Sequence, residues 1–357
     1  MRVHQPLFWL PPETAHHVAL RALESLNATP GLRRWVHKRL AFSDARLRVD
    51  CLGLRFANPI GVAAGFDKDG RVVPGLEALG FGFVEVGTVT PDPQPGNTGK
   101  RLARIPAERA LVNRLGFPSA GARVVASRLA RAARSIPLGV NLGKNTATPV
   151  NHAVDDFLKA LRTLYAVGDY LVINISSPNA PGLRDLHSGA LLDDLLGTLL
   201  AEMARQAAGR GEGPKPLLVK VSPDLMIDDV EGVSDVVVRR GAAGVVVANT
   251  LADSPLVARA NLGGGGLSGA PIRDATTALV RRFYRRLRGR AEIIGVGGVF
   301  TAEDVYEKIC AGASLVQTYT GVVYEGPLMP GGICRGLAAL LERDGLPSIS
   351  AAIGSRA

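Results

Sequence analysis

The chain has 357 residues, 46% hydrophobic and 21% charged, a globular composition with material for a large core and no disordered character. Its 42 basic residues outnumber 32 acidic ones for a formal charge of +10; 34 of the basic residues are Arg and only 8 are Lys, so a lysine near a strand end is the more informative cation. Cys51, Cys310 and Cys334 form neither a disulfide framework nor a zinc spacing, which points to a reducing compartment, and with four of the six His before position 40 no metal is expected. No run of about eighteen apolar residues predicts a membrane span, and Arg2 is not followed by an apolar signal core. The positive excess admits nucleic acid, an anionic membrane or a phosphorylated cofactor as partner, and its distribution must choose among them.

The first stretch reads as two amphipathic helices. Pro11-Pro12-Glu13 opens one, since proline is tolerated in a first turn, and Ala15, Ala19, Ala22, Leu23 and Leu26 recur at helical spacing. Pro30-Gly31 reads as the break. A second helix follows with Leu32, Trp35, Val36 and Leu40 on one side and Arg33, Arg34, His37 and Lys38 on the other. Such a hairpin either caps a larger domain or lies in a membrane interface, where Trp and basic residues anchor at the headgroups.

From Asn58 onward short β-branched runs alternate with helical stretches. The expected strands are Pro59–Ala63, Phe83–Gly87, Leu138–Leu142, Tyr170–Ile175, Leu217–Val221, Gly244–Ala248, Glu292–Val296 and Ser314–Tyr319, each an apolar run suited to burial on both faces. The clearest helices between them are 152–166, 188–208, 227–240, 271–288 and 301–310. Eight strand–helix units predict an α/β fold, a (β/α)8 TIM barrel with an N-terminal amphipathic two-helix extension: residues 1–45 as hairpin and 46–357 as barrel. A doubly wound open sheet is the alternative, less suited to eight units.

In such a barrel the chemistry sits at the strand C-terminal ends. The first strand runs into Ala63-Ala64-Gly65-Phe66-Asp67-Lys68, the second into Gly87-Thr88, and a proline-rich loop follows before Asn113-Arg114-Leu115-Gly116-Phe117. The third ends in Asn141-Leu142-Gly143-Lys144-Asn145, the fourth gives Asn174-Ile175-Ser176-Ser177-Pro178-Asn179, the fifth carries Lys220, and the sixth ends in Asn249-Thr250. The whole chain has only 11 Asn, yet they recur around this mouth. Amides both donate and accept, which suits a neutral ring with urea-like edges, while Lys68 and Lys220 suit a carboxylate and an electron-rich ring. One Asn alone is more often a turn residue; it is the repetition that signals a site. Gly295-Val296-Gly297-Gly298 and Tyr319-Thr320-Gly321 close the last two strands, where these barrels bind phosphate, and Gly263–Gly269 adds a second glycine-rich stretch that reads as flexible backbone. The basic–aromatic run Arg281–Arg286 reads as the solvated face of a helix whose Val280, Phe283, Tyr284 and Leu287 turn inward, so no nucleic-acid partner is expected.

These stretches resemble the dihydroorotate dehydrogenases, specifically the quinone-dependent, membrane-associated class 2. The similarity is carried by Ala63–Lys68, Gly80–Thr90, Asn113–Phe117, Asn141–Asn145, Asn174–Asn179, Gly264–Gly269, Gly295–Gly298 and Gly312–Tyr319, with Leu10–His16 similar to the class 2 extension. The resemblance implies FMN at the mouth, at Ala64, Gly65, Thr88, Asn141, Asn174, Lys220, Ala248, Gly269, Gly298, Tyr319 and Thr320. It implies dihydroorotate, the product being orotate, at Lys68, Asn113, Arg114, Leu115, Gly116, Phe117, Asn174, Asn179, Asn249 and Thr250, with Ser177 as catalytic base. It further implies a membrane quinone near His16 and Arg104, reached through the hairpin, a monomer, and a peripheral position on the cytoplasmic face of a bacterial membrane. Ala180 and Ala248 stand where relatives have Thr, and Thr320 where some have Ser. The rival expectations are another FMN barrel with a soluble acceptor, and a non-catalytic membrane-binding relative.

Overall fold

The structure is a computed structural model describing residues 5–177 and 189–357. Helices α1 (Pro12–Asn27) and α2 (Pro30–Leu40) come first, followed by the short hairpin β1 (Val49–Cys51) and β2 (Leu54–Phe56). Next come β3 (Ile60–Val62), α3 (Val73–Ala78), β4 (Phe83–Val89), β5 (Leu102–Ile105), β6 (Ala110–Asn113), α4 (Ala122–Leu129), β7 (Leu138–Leu142), α5 (Ala153–Leu164) and β8 (Tyr170–Asn174). Then follow α6 (Gly189–Ala208), β9 (Leu217–Lys220), α7 (Ile227–Arg240), β10 (Gly244–Val247), α8 (Pro255–Arg259) and β11 (Gly266–Gly269). The chain ends with α9 (Arg273–Leu287), β12 (Glu292–Val296), α10 (Ala302–Cys310), β13 (Leu315–Thr318), α11 (Thr320–Glu325) and α12 (Met329–Arg343).

Strands β3-β4-β7-β8-β9-β10-β12-β13 close into a parallel eight-stranded barrel, and all eight strands expected from the sequence are in it. Apart from Glu292 at the start of β12, every residue of these strands is buried, which is why they read as continuous apolar runs rather than alternating ones. Large and small residues interlock between neighbouring strands: a Cβ on Gly139 would lie 2.2 Å from Tyr170 Cζ, and one on Gly61 would lie 2.5 Å from the Phe83 ring. The arginines of α9 lie on its outer face, Arg286 pairing with Asp235 at 2.8 Å, while Val280, Phe283 and Leu287 are buried.

Three features differ from the sequence reading. The glycine-rich stretch Gly263–Gly269 is not flexible backbone throughout: its second part, Gly266–Gly269, is β11, which pairs antiparallel with β6 in a small sheet that β5 completes. This sheet has its own apolar cluster, including Val112, Leu267 and Ile272. Pro30 does not break the chain but begins α2, the turn lying at Ala28–Thr29, because an N1 proline forfeits no helical hydrogen bond. On α2, Val36 and Leu40 pack on the core, whereas Leu32 and Trp35 stay exposed.

Helix α1 packs against α3 and β5, and α2 against α3. Two ion pairs pin α1, Glu13–Arg101 and Glu24–Arg71, each at 2.6 Å. The Arg101 guanidinium holds the Glu13 carboxyl below the usual range. Gly139→Ala should be destabilising by about 1–3 kcal/mol, because the added methyl collides with a ring that cannot move. Chemical denaturation would read this as a lower midpoint; an unchanged midpoint would contradict the packing described.

Candidate active site

The loops leaving the barrel strands line an open cleft at the barrel mouth, the concave setting in which ligand sites are found. One side is Ala63, Ala64 and Gly65 at the exit of β3, with Tyr319 beside them from the end of the neighbouring strand β13, a Cβ on Gly65 coming within 3.4 Å of its ring. Thr88, Asn174, Ser177, Lys220, Ala248, Asn249 and Thr250 arrive from the ends of β4, β8, β9 and β10. The small antiparallel sheet roofs the cavity with Leu102, Leu111, Asn113, Ser268 and Gly269, and the segment after it adds Leu115, Gly116 and Phe117. Gly297, Gly298, Thr320 and Gly321 close the far side, with Thr320 Oγ1 donating to Ser268 Oγ at 2.9 Å.

Two of the residues expected at the cofactor and substrate do not line this cavity. Asn141 lies directly behind the wall, fully buried. Arg114 turns away from the cavity, its Nη2 donating to the Thr98 carbonyl at 3.3 Å. Asn179 and Ala180 lie outside the described residues.

The polar wall is one connected chain of hydrogen bonds rooted in the barrel core. Glu85, wholly buried on β4, accepts from Asn141 Nδ2 at 2.8 Å and Gln317 Nε2 at 2.7 Å, and Lys220 Nζ lies 3.7 Å from the same carboxylate. Asn141 Oδ1 accepts from Thr88 Oγ1 at 2.6 Å, and Thr88 in turn accepts from Asn174 Nδ2 at 2.8 Å. Asn174 Oδ1 takes the Ser176 hydroxyl at 3.0 Å, and Ser176 Oγ accepts from Asn249 Nδ2, also at 3.0 Å. Each amide is thereby fixed in its orientation before any ligand arrives.

Lys68 reaches the cavity from the β3 loop with its Nζ 2.5 Å from the Gly65 carbonyl, and burial pushes its ammonium down to about 8. A second, apolar cavity, open to solvent, lies between the α1 helix and the barrel mouth, lined by Leu7, Phe8, Ala15, Ala19, Val322 and Val323 among others. His16 and Arg104 both border it. His16 packs edge-on to Phe66 at 5.3 Å and beside Tyr319, and burial lowers its imidazole to about 3, so the ring is neutral. Arg104 lies over the Phe8 ring at 4.9 Å and donates to the Leu7 carbonyl at 3.2 Å. Leu102, Leu111 and Tyr319 belong to both cavities and separate them.

The sequence reading missed Glu85 and Gln317, both buried beneath the site. The available signal was a lone carboxylate inside an apolar strand run, which burial obliges to find partners. Neutralising it by Glu85→Gln should be destabilising by about 3 kcal/mol, because Lys220 would keep a buried charge without its counter-charge. Urea unfolding would measure the loss; wild-type stability would mean that the Glu85–Lys220 pair carries no net weight.

A closed (β/α)8 barrel whose mouth gathers fixed amides, two lysines and glycine turns after the last strands defines an enzyme class that holds a phosphate-bearing cofactor over its strand ends. The family model described as dihydroorotate dehydrogenase matches residues 46–341. The chain is 46% identical over 355 residues to the dihydroorotate dehydrogenase (quinone) of Acidithiobacillus ferrooxidans, covering 98% of each. It is 48% identical over 354 residues to that of Anaeromyxobacter dehalogenans, covering 98% of this chain and 94% of the relative. Among solved structures, ligand-free DHODH from Eimeria tenella superposes with a TM-score of 0.86 at 35% identity, covering 97% of this chain and 99% of the other. The chain belongs to the dihydroorotate dehydrogenase family.

Proposed function

We propose that the protein oxidises dihydroorotate to orotate with FMN as the resident acceptor and a membrane quinone as the final one. The observation that carries this reading is the junction of two cavities at Tyr319: a donor-rich one at the strand ends and an apolar one under the N-terminal helices.

The residues present fit FMN. Small Ala63, Ala64 and Gly65 leave room for a flat ring beside Tyr319, buried Lys220 offers a cation from the wall, and backbone at Gly269, Gly297 and Gly298 is bare of side chains where a phosphate needs N–H donors. Ala64, Gly65, Thr88, Asn141, Asn174, Lys220, Ala248, Gly269, Gly298, Tyr319 and Thr320 are the residues that would hold it. FMN when bound supplies a two-electron acceptor that relays to the quinone.

The chain's own residues do the rest. Lys68 meets the substrate carboxylate, and Asn113, Asn174, Asn249 and Thr250 match the alternating donors and acceptors of the dihydropyrimidine ring. Ser177, buried at 4% exposure in the cavity wall, takes the proton from the substrate's C5. A serine hydroxyl is a weak base at neutral pH, so it acts by passing the proton onward rather than keeping it. Lys220 stabilises negative charge that builds on the cofactor side, and because Glu85 and its hydrogen bonds already fix it, no reorganisation is needed during the reaction.

The apolar cavity favours a quinone over a soluble acceptor, with the neutral His16 ring and the Arg104 guanidinium as polar points at its inner end. The outer surface of the N-terminal segment suits a peripheral membrane contact: Trp9 is 84% and Trp35 56% exposed, and Arg39 lies over the Trp35 ring at 5.4 Å. Among the described residues no helix is long and apolar enough to cross a membrane.

The test is spectroscopic. The purified protein should be yellow, bleach anaerobically on adding dihydroorotate, and recover its colour with quinone carried in anionic vesicles. A preparation that takes up no FMN, or bleaches with no dihydropyrimidine, would sink the reading; recovery with fumarate or NAD instead of quinone would transfer it to a soluble acceptor. Ser177→Ala should keep FMN and orotate binding while slowing anaerobic bleaching by about 10²-fold or more. For pH, the charged Lys68 is the binding form and it is lost as pH rises, so kcat/KM for dihydroorotate should fall on the alkaline side with a midpoint near 8. Steady-state profiles check this: Lys68→Arg, charged throughout, should shift that limb upward, and an identical limb would remove Lys68 as its source.

A further inference from the structure

Beneath the Gly297–Gly298 turn lies a lysine that none of the chemistry above uses. Lys308 on α10 is wholly buried. Its Nζ donates to Thr276 Oγ1 at 2.8 Å and Thr277 Oγ1 at 2.9 Å, with the Arg273 carbonyl at 3.5 Å. The stem runs under the exit of β12, its Cδ 3.3 Å from where a Cβ on Gly295 would be, and Thr276 Oγ1 in turn reaches the Gly297 carbonyl at 3.3 Å. All its acceptors are neutral oxygens, and no ion pair to it occurs among the described residues.

This placement is unfavourable by itself. A buried ammonium without a counter-charge is strongly disfavoured, and this one sits at the N-terminal end of α9, where the helix dipole is already positive. The acidic groups around it are otherwise engaged. Asp304, on the same helix, pairs with Arg273 at 3.1 Å and accepts the amides of Phe300 and Thr301. Asp274 pairs with Arg273 in solvent, and Glu307 faces outward. Arg273 therefore faces two carboxylates, while Lys308 has no ion-pair partner among the described residues and feels Glu307, Asp304 and Asp274 only at a distance, too weakly to outweigh its burial. Burial brings its ammonium down to about 7, so whether it is charged at neutral pH depends on an anion nearby.

The anion that the adjoining turn is built to take is a phosphate. We propose that Lys308 is a positioning residue for the cofactor phosphate: anchored through Thr276 under the Gly297–Gly298 turn, it supplies the buried positive charge by which the protein prefers a phosphorylated flavin to an unphosphorylated one. The inference rests on the FMN reading above and assigns to this residue the electrostatic half of phosphate recognition, the turn supplying the N–H donors.

The experiment compares FMN with riboflavin, which carries the same ring and lacks the phosphate, on the full chain stripped and reloaded. Lys308→Met preserves the length of the stem and leaves Thr276 and Thr277 their carbonyl acceptors at Ile272 and Arg273. The preference for FMN over riboflavin should fall about tenfold in the variant, with riboflavin affinity unchanged. In the wild type that preference should decline between about pH 7 and pH 9, where the phosphate is already a dianion and the surrounding Asp304, Glu307, Asp274 and Arg273 hold their charges. In the variant the profile should be flat. A second measurement needs no variant: with isotopically labelled lysine, the Lys308 resonance should titrate at higher pH in the FMN-loaded protein than in the riboflavin-loaded one. Equal losses for both flavins, an unchanged preference, or a Lys308 midpoint indifferent to the phosphate would each overturn the assignment. Failure of the wild type to take up either flavin would instead overturn the FMN reading itself, and this one with it.

Discussion

The structure turns on a carboxylate buried at the centre of the barrel. Glu85 on β4 is held by Asn141 from β7 and Gln317 from β13 and faces Lys220 from β9, so one residue ties four strands together. Water cannot share in solvating it, and every lone pair left without a partner would cost free energy in a low dielectric. The hydrogen bond that Asn141 makes inward and the ion pair of Lys220 are therefore obligatory, and they determine what those side chains can present outward. Thr88, Asn174, Ser176 and Asn249 continue the same chain to the cavity. The site's polar wall is the upper end of the core's own network, which is why its amides cannot flip to suit a ligand of the wrong pattern.

Above that wall the molecule divides polar from apolar chemistry. Phe66 and His16 line both the apolar cavity and a more polar one bordered by Glu13, Asp69, Arg71 and Arg101, and Tyr319 borders all three cavities. A charged imidazole at this junction would draw water into the apolar side; burial keeps His16 neutral and prevents it. The partly exposed Glu13–Arg101 and Glu24–Arg71 pairs hold the helix that forms this partition, and Leu20 on its inner face joins the main core cluster.

The barrel was legible because its strands are buried on both faces and bounded by helices, a pattern that survives without tertiary information. The small sheet was not. Leu102–Ile105 and Ala110–Asn113 are short and follow a proline-rich loop, and Gly266–Gly269 is a strand with almost no intrinsic preference to be one. Only pairing with β6 gives those glycines a reason to extend. The ring of asparagines could be read once the strands were placed, since topology brings their ends together whatever the loops do. Glu85 was hidden by the opposite circumstance: it sits inside the strand, where the apolar pattern masks it. Arg114 shows the limit of residue type alone, because its neighbours Asn113 and Leu115 line the cavity while its own guanidinium bonds the Thr98 carbonyl.

The contrast between the two cations follows from the same physics. Among the described residues no arginine is buried, whereas Lys144, Lys220 and Lys308, three of the 8 lysines, are. A guanidinium is broad, planar and permanently charged, suited to the surface forks seen at Asp193 and Asp344, and too demanding for a space bounded by strand backbone. An ammonium is compact, satisfies three acceptors at a point, and can yield its proton when no anion is present. A chain that spends arginine freely on its exterior thus draws its buried cations from lysine, Lys220 in the cavity wall and Lys308 beneath the Gly297–Gly298 turn among them. The +10 balance is then mostly a property of the surface, and the sites are marked by the minority cation.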